Sequence, residues 1–225
     1  MKTRPFWSAW SLLFCVGCLL TAPRSFASWN LQETVGEAAA VIHQFKQEGK
    51  IPKSVFEKAK GVAFLRMTKG GLVISGEYGH GLVVQRLANG GWSGPSAISS
   101  SAVGIGAQIG GSETNYVFIL NSDHAVRRFA HGGKVHMTGE MSGVAGPESE
   151  HDVFLKPKRA VYVYRSTEGL FGGIAFTGSD LREAPDTNER YYHRAVTASE
   201  ILSGQVAPPH RAQTLIDALN APYPR

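Results

Sequence analysis

Residues 51–98 read IPKSVFEKAKGVAFLRMTKGGLVISGEYGHGLVVQRLANGGWSGPSAI. Short apolar runs alternate with glycines, and the stretch holds no cluster of acids, cysteines or nucleophiles. Glycine permits tight turns and close backbone approach, so apolar runs bounded by it read as twisted β-structure. The runs predict strands over 61–67, 72–78 and 82–87. Working outward, 97–109 (broken at Gly104 and Gly106) and 115–120 complete a first set, and 153–155, 160–165 and 170–176 form a second. Several are apolar throughout, a pattern that suits strands covered on both faces and that a short buried helix shares. Gly70 to Glu77 also echoes Gly172 to Ser179, each with a Gly-Gly entry.

Helical patterns flank these strands. Leu31, Val35, Ala38, Ile42 and Phe45 recur at spacings of three and four over 30–48, with Asn30 as N-cap, Glu33 at capping-box spacing and Gly49 as the stop. A short helix is expected from Pro52 through Ala59, because a first-turn proline lacks only an N–H that would be unpaired anyway. Asp123 to Ala130 is a further short candidate, and the chain closes with helical patterns over 199–202 and 209–219. No linker or charge block divides residues 28–225. The fold class expected is α+β: one domain, with a twisted, mostly antiparallel sheet or open barrel between N- and C-terminal helices.

Residues 1–27 have the layout of a secretory signal peptide. Lys2 and Arg4 precede an apolar run from Phe6 to Leu20, and Ser25-Phe26-Ala27 offers a small-residue cleavage site. The alternative is a lipoprotein signal, with Cys18 as the lipidated residue of Phe14-Cys15-Val16-Gly17-Cys18. Cleavage after Ala27 removes both cysteines and three of the 23 basic residues, so the formal charge falls from +5 to +2 against 18 acidic residues. Nucleic-acid binding, which needs a concentrated basic stripe, is therefore not expected. An exported protein of the bacterial cell envelope or periplasm is.

The chemistry-bearing residues form no catalytic set. His124, His131 and His136 lack the cysteine or H-E-x-x-H partners of a zinc site, so neither metal nor cofactor is expected. In Gly91-Trp92-Ser93-Gly94-Pro95 a proline stands where a nucleophile elbow requires glycine. Ser93 then reads as a turn residue, and Trp92 as a rim residue whose indole N–H finds a partner if buried. Gly104-Ile105-Gly106-Ala107-Gln108-Ile109-Gly110-Gly111 is one residue too long for a dinucleotide loop and leads into a strand. Glu148, Glu150 and Asp152 read as solvated loop charges, as does Glu113 between strands. No enzyme activity is expected.

The basic residues are more suggestive. Lys156, Lys158 and Arg159, around Pro157, form an extended basic turn between strands, and Arg127 and Arg128 are adjacent in sequence. Lys58, Lys60, Arg66 and Lys69 are further candidates. Trp29 stands ready either to insert at an interface or to pack beside the first helix.

Several motifs together resemble the SYLF domain family of lipid-binding modules, related to the actin-binding domain of yeast endocytic proteins. They are Ile51-Pro52, Ala59-Lys60-Gly61, Gly76-x-x-Gly79-x-Gly81, Arg86 and Trp92-Ser93-Gly94-Pro95-Ser96. Further along come Gln108-Ile109-Gly110, Tyr116 to Leu120, Tyr164-Arg165-Ser166 with Glu168 to Gly173, Asn188, Tyr191-Tyr192 and Ile201 to Gly204. The resemblance runs over about residues 31–220. It implies phospholipid binding, with phosphoinositides and actin the partners of eukaryotic members. This chain departs from the pattern at Glu168, where the family often has lysine, and in a first helix that carries Glu33, Glu37 and Glu48 against Lys46. The expected function is non-catalytic binding of anionic phospholipids at a membrane surface, through Lys156, Lys158, Arg159, Arg127 and Arg128. The alternative is an interaction protein that binds another envelope protein through a sheet edge.

Overall fold

Strand β1 (Gly61–Gly71) is the axis of the fold in the computed structural model. On its two sides β2 (Ile74–Gln85) and β4 (Gly110–Leu120) pair antiparallel to it. Outside them β3 (Ser96–Ile105) joins β2, and β7 (Val161–Gly169) joins β4. β8 (Asp180–Glu183) extends the sheet beyond β3, and the two-residue strands β5 (Val135–His136) and β6 (Val144–Ala145) end it. The order is β5-β8-β3-β2-β1-β4-β7-β6, antiparallel except for the last pair. Among the described residues the edge strands do not pair with each other, so the sheet is open there and not a closed barrel. The structure describes residues 29–71, 74–105, 110–130, 135–136, 144–147, 149–155, 159–169 and 180–224. The leader expected at 1–27 with Cys18, the strand expected over 170–176 and all of the second echo copy lie outside them. Among the described residues no helix is long and apolar enough to cross a membrane.

Alternation along the strands builds two cores. Val62, Phe64, Leu82, Val84, Val117, Ile119, Tyr162 and Tyr164 face one side of the sheet. They are covered by α1 (Leu31–Gln47), α2 (Lys53–Glu57) and α7 (Gln213–Asn220). Ala63, Leu65, Val83, Tyr116, Phe118, Leu120 and Val161 face the other, under α3 (Asp123–Ala130) and α6 (Ala198–Leu202). This two-sided cover is why the strands read as apolar throughout. α1 buries Leu31, Val35, Ala38, Ile42 and Phe45, as its periodicity predicts. Its cap is simpler than a capping box: the Asn30 side chain accepts from the Gln32 N–H at 2.9 Å. A capping box does occur at α6, between Thr197 and Glu200.

Three expectations on the elements are corrected. From Ile74 to Gln85 the two expected runs, 72–78 and 82–87, merge into one strand, β2, and Gly79 and Gly81 lie inside it. A Cβ at Gly81 would stand 1.9 Å from the Phe64 carbonyl oxygen, and one at Gly79 would stand 2.2 Å from Met67 Sδ. These glycines mark close approach of β2 to β1, not strand ends. Residues 153–155 belong to α4 (Glu150–Leu155), a short apolar run that turned out to be helical. The pattern over 209–219 divides into a 3₁₀ turn, His210–Ala212, and α7. α5 (Pro185–Tyr192) opens on a proline and is mostly polar, so it carried no periodic signal.

Candidate functional site

Gly61, at the start of β1, sets the geometry of one end of the sheet. A Cβ there would lie 2.8 Å from the Val84 carbonyl oxygen and 2.9 Å from Val126 Cγ2, so only glycine lets α3 settle against the strand end. Immediately before it the Lys60 N–H donates to the Leu120 carbonyl at 2.8 Å. The next residue, Asn121, donates its backbone N–H to Ala160 O at 2.8 Å and its side-chain amide to Arg159 O at 3.0 Å. Lys60 and Arg159 are thereby held on either side of the β4 terminus, and both are exposed. Lys58 is exposed two residues upstream, and Arg127 and Arg128 are exposed beside the buried Val126 of α3. None of these five cations lies within 4 Å of a carboxylate among the described residues. Asp123 in the first turn of α3 is the acid that follows this corner in the chain, and Glu57 pairs instead with Lys53 at 3.8 Å. Lys156 and Lys158 lie outside the described residues, as do the side chains of Lys69 and Glu168.

Arg66 is removed from the basic candidates. Its guanidinium bridges Glu37 at 2.8 Å and Glu113, so its charge is neutralised inside the fold. His80 stands 4.0 Å from the same Glu37, and burial pushes its imidazole below the usual range while Glu37 pulls the other way. Trp29 stacks on His80 with centroids 5.3 Å apart, which makes it a packing residue at the start of α1.

Two further cations act within the scaffold. Lys46 is fully buried, and its ammonium donates to the carbonyls of Ala218, Leu219 and Ala221 at 3.2, 3.0 and 2.5 Å. It satisfies the carbonyls left open at the end of α7 and lies over the Phe56 ring at 4.6 Å. Burial, then the charge of Arg86, lowers its pKa to about 8. Arg86 donates to the carbonyls of Ala59 and Phe56 at 3.0 and 3.3 Å and stacks on Trp92 at 4.2 Å, which ties α2 to the sheet.

The Trp92 to Ser96 motif is a docking seat for α5. Ser93 accepts from the Gln85 N–H and donates to Gly94 O, both at 2.9 Å, as a turn residue does. The Tyr192 hydroxyl donates to Pro95 O at 2.9 Å, and a Cβ at Gly94 would sit 2.3 Å from it. Asn188, fully buried, accepts from the Ala97 N–H at 2.7 Å and donates to Ser96 Oγ at 3.2 Å. The Trp92 indole N–H is buried without a hydrogen-bond partner among the described residues, contrary to expectation. No group of three or more His, Cys, Asp or Glu among the described residues is arranged to hold a metal ion.

The profile of the Ysc84 family, described as "Las17-binding protein actin regulator", matches residues 101–222. The chain is 41% identical to the SH3 domain-containing protein PJ696.02 of Schizosaccharomyces pombe, over 76% of this chain and 41% of that protein. It is 37% identical to the SH3 domain-containing YSC84-like protein 1 of Rattus norvegicus, over 85% of this chain and 59% of the relative. Identity to protein YSC84 of Saccharomyces cerevisiae is 35%, over 85% and 44% respectively. The chain thus spans about half the length of the curated relatives it matches. No solved structure matches it. Motifs that are scattered in sequence converge in the fold, and the profile covers more than half of the residues. The chain belongs to the Ysc84/SYLF family.

Proposed function

We propose that the protein is a non-catalytic module that attaches to anionic phospholipid surfaces through the basic end of its sheet. The observation that carries this reading is the hydrogen bonding that holds Lys60 and Arg159 on either side of the β4 terminus, neither within 4 Å of a carboxylate among the described residues. Lys58, Arg127 and Arg128 add charge at the same end. Each cation near an anionic bilayer contributes about 1 kcal/mol at most, so five give real but salt-sensitive attachment. Lys156 and Lys158 belong to the same basic turn in sequence and are included in the proposal. The membrane would be that of a cell envelope, in keeping with the leader expected at 1–27. Strand addition at a sheet edge is the alternative, since among the described residues β6 pairs with only Tyr162 and Val163 of the nine-residue β7.

The test is flotation of the purified chain with vesicles of phosphatidylglycerol in phosphatidylcholine, against phosphatidylcholine alone. Binding should require the anionic lipid and vanish as salt passes about 0.5 M, where the screening length falls to roughly 4 Å. Lys60→Glu with Arg159→Glu should weaken it about tenfold or more. Binding unchanged by both salt and these substitutions would refute the headgroup mechanism.

A further inference from the structure

The first turn of α1, α5 and the turn that leads into α7 enclose a cleft of about 310 Å³, lined by Trp29, Asn30, Leu31, Thr187, Arg190, Tyr191 and Arg211. It is separate from the basic end of the sheet and shares no residue with it. Arg190 is anchored on the wall by one hydrogen bond, from Nη2 to Thr187 Oγ1 at 2.8 Å. Arg211 lies over the Tyr191 ring at 4.7 Å and meets His193 Nε2 at 2.5 Å. In that contact the guanidinium donates and Nε2 accepts. Each guanidinium has five N–H donors, so most remain available on both. Neither lies within 4 Å of a carboxylate among the described residues, although Glu33, Asp186 and Glu189 are exposed nearby in sequence.

Tyr191 is the second, independent sign. Its side chain is 4% exposed, it lines the cleft, and its hydroxyl is buried without a hydrogen-bond partner among the described residues. A buried phenol normally finds a partner, and an orphaned one marks a place where something else completes it. The N-terminus of the 17-residue helix α1 borders the same cleft and adds its positive dipole end. Two guanidiniums, a phenolic donor and a helix N-terminus, with no carboxylate within 4 Å of either guanidinium among the described residues, suit a multiply charged anion with several acceptor oxygens. A carboxylate would use only part of this set. Guanidinium forks match the spacing of phosphate oxygens, which makes phosphate the fitting class.

We propose that this cleft binds a phosphate group, free or as the ester of a small molecule or lipid headgroup, between Arg190 and Arg211 with the Tyr191 hydroxyl as a third donor. The proposal does not rest on the membrane-attachment reading, and its residues lie elsewhere on the molecule.

The experiment follows the arginine Nε–H and backbone amide resonances of the purified chain during titration with inorganic phosphate, glycerol 3-phosphate and acetate, and then vesicles that contain phosphatidic acid. Saturable shifts of Arg190, Arg211 and Tyr191 with phosphate, with acetate at least about tenfold weaker, are expected. Arg190→Gln should weaken phosphate binding about tenfold, and Tyr191→Phe by a smaller factor. Arg190 is exposed, so its substitution tests the site even where Arg211→Gln does not fold. Equal response to inorganic phosphate and glycerol 3-phosphate identifies a free-phosphate site. Response only to phosphatidic acid vesicles, lost in Arg190→Gln, identifies a headgroup site. No saturable shift up to about 10 mM phosphate and none with the vesicles that Arg190→Gln removes would overturn the proposal, as would acetate binding as tightly as phosphate. Vesicle binding that depends on Lys60 and Arg159 and ignores Arg190→Gln, together with no saturable phosphate shift at Arg190 and Arg211, would refute this site and leave the membrane-attachment reading intact.

Discussion

Two glycines in the opening stretch and its flank do opposite jobs, and substitution separates them. Gly49 takes φ +66° at the end of α1 with open space around its Cβ position, so Gly49→Ala meets only backbone strain of about 1–2 kcal/mol. At Gly81 a Cβ would strike the Phe64 carbonyl of the paired strand, and Gly81→Ala should cost about 3 kcal/mol or more. Chemical denaturation of the two variants checks the contrast; equal costs would mean that β2 can retreat from β1. Lys46 offers a second residue-scale outcome. Its folded pKa, about 8, is below its ordinary 10.5, so between these values the unfolded chain holds the proton that the folded chain gives up. Stability conferred through this group therefore rises with pH across that window. The clean range is from about pH 8 to 10, because Tyr78, Tyr191, Tyr192 and Tyr223 are raised above 10 by burial and act in the opposite sense beyond it. Unfolding followed over that range should show a rise that Lys46→Met abolishes.

At the scale of elements, α5 is held by polar contacts more than by an apolar face. Asn188→Ala would leave the Ala97 N–H without its partner in a buried place, which costs about 1–3 kcal/mol, whereas Tyr192→Phe removes a single hydrogen bond and costs about 1 kcal/mol. Denaturation midpoints should rank the two in that order. This element was not legible as a helix, since a polar octet with proline at its start gives no periodicity. α1 was legible almost to its ends, because its apolar residues keep helical spacing and its buried face is a regular stripe. The merger of two expected strands into β2 follows the same logic in reverse. Glycine inside a strand and glycine at its end look alike until the neighbouring strand is present.

For the whole molecule, the two cores lie on opposite faces of one sheet, and they should contribute separately. Leu82→Ala and Phe118→Ala sit two strands apart, about 10 Å by strand spacing, on opposite faces. They should cost about 2–5 and 3–5 kcal/mol, and add within about 0.5 kcal/mol. A double variant well away from the sum would show that the sheet transmits strain between its faces. The candidate sites were only partly visible beforehand. Arg159, Arg127 and Arg128 were singled out by charge alone, and Arg66 with them, yet Glu37 and Glu113 neutralise Arg66 from other elements. The cleft with Arg190, Arg211 and Tyr191 carried no motif for an anion site.

Local physics explains the division. Apolar spacing, glycine placement and capping residues act over a few neighbours, so the sequence by itself determined an α+β domain, its central strands, its first helix and its family. Strand order, the partner of each charge and the convergence of residues 29–31 with 187–211 depend on contacts between segments far apart in the chain. Only the tertiary structure decided which cations are neutralised by burial beside acids and which stay open to an anion, because electrostatic environment is a property of the packed neighbours and not of the residue.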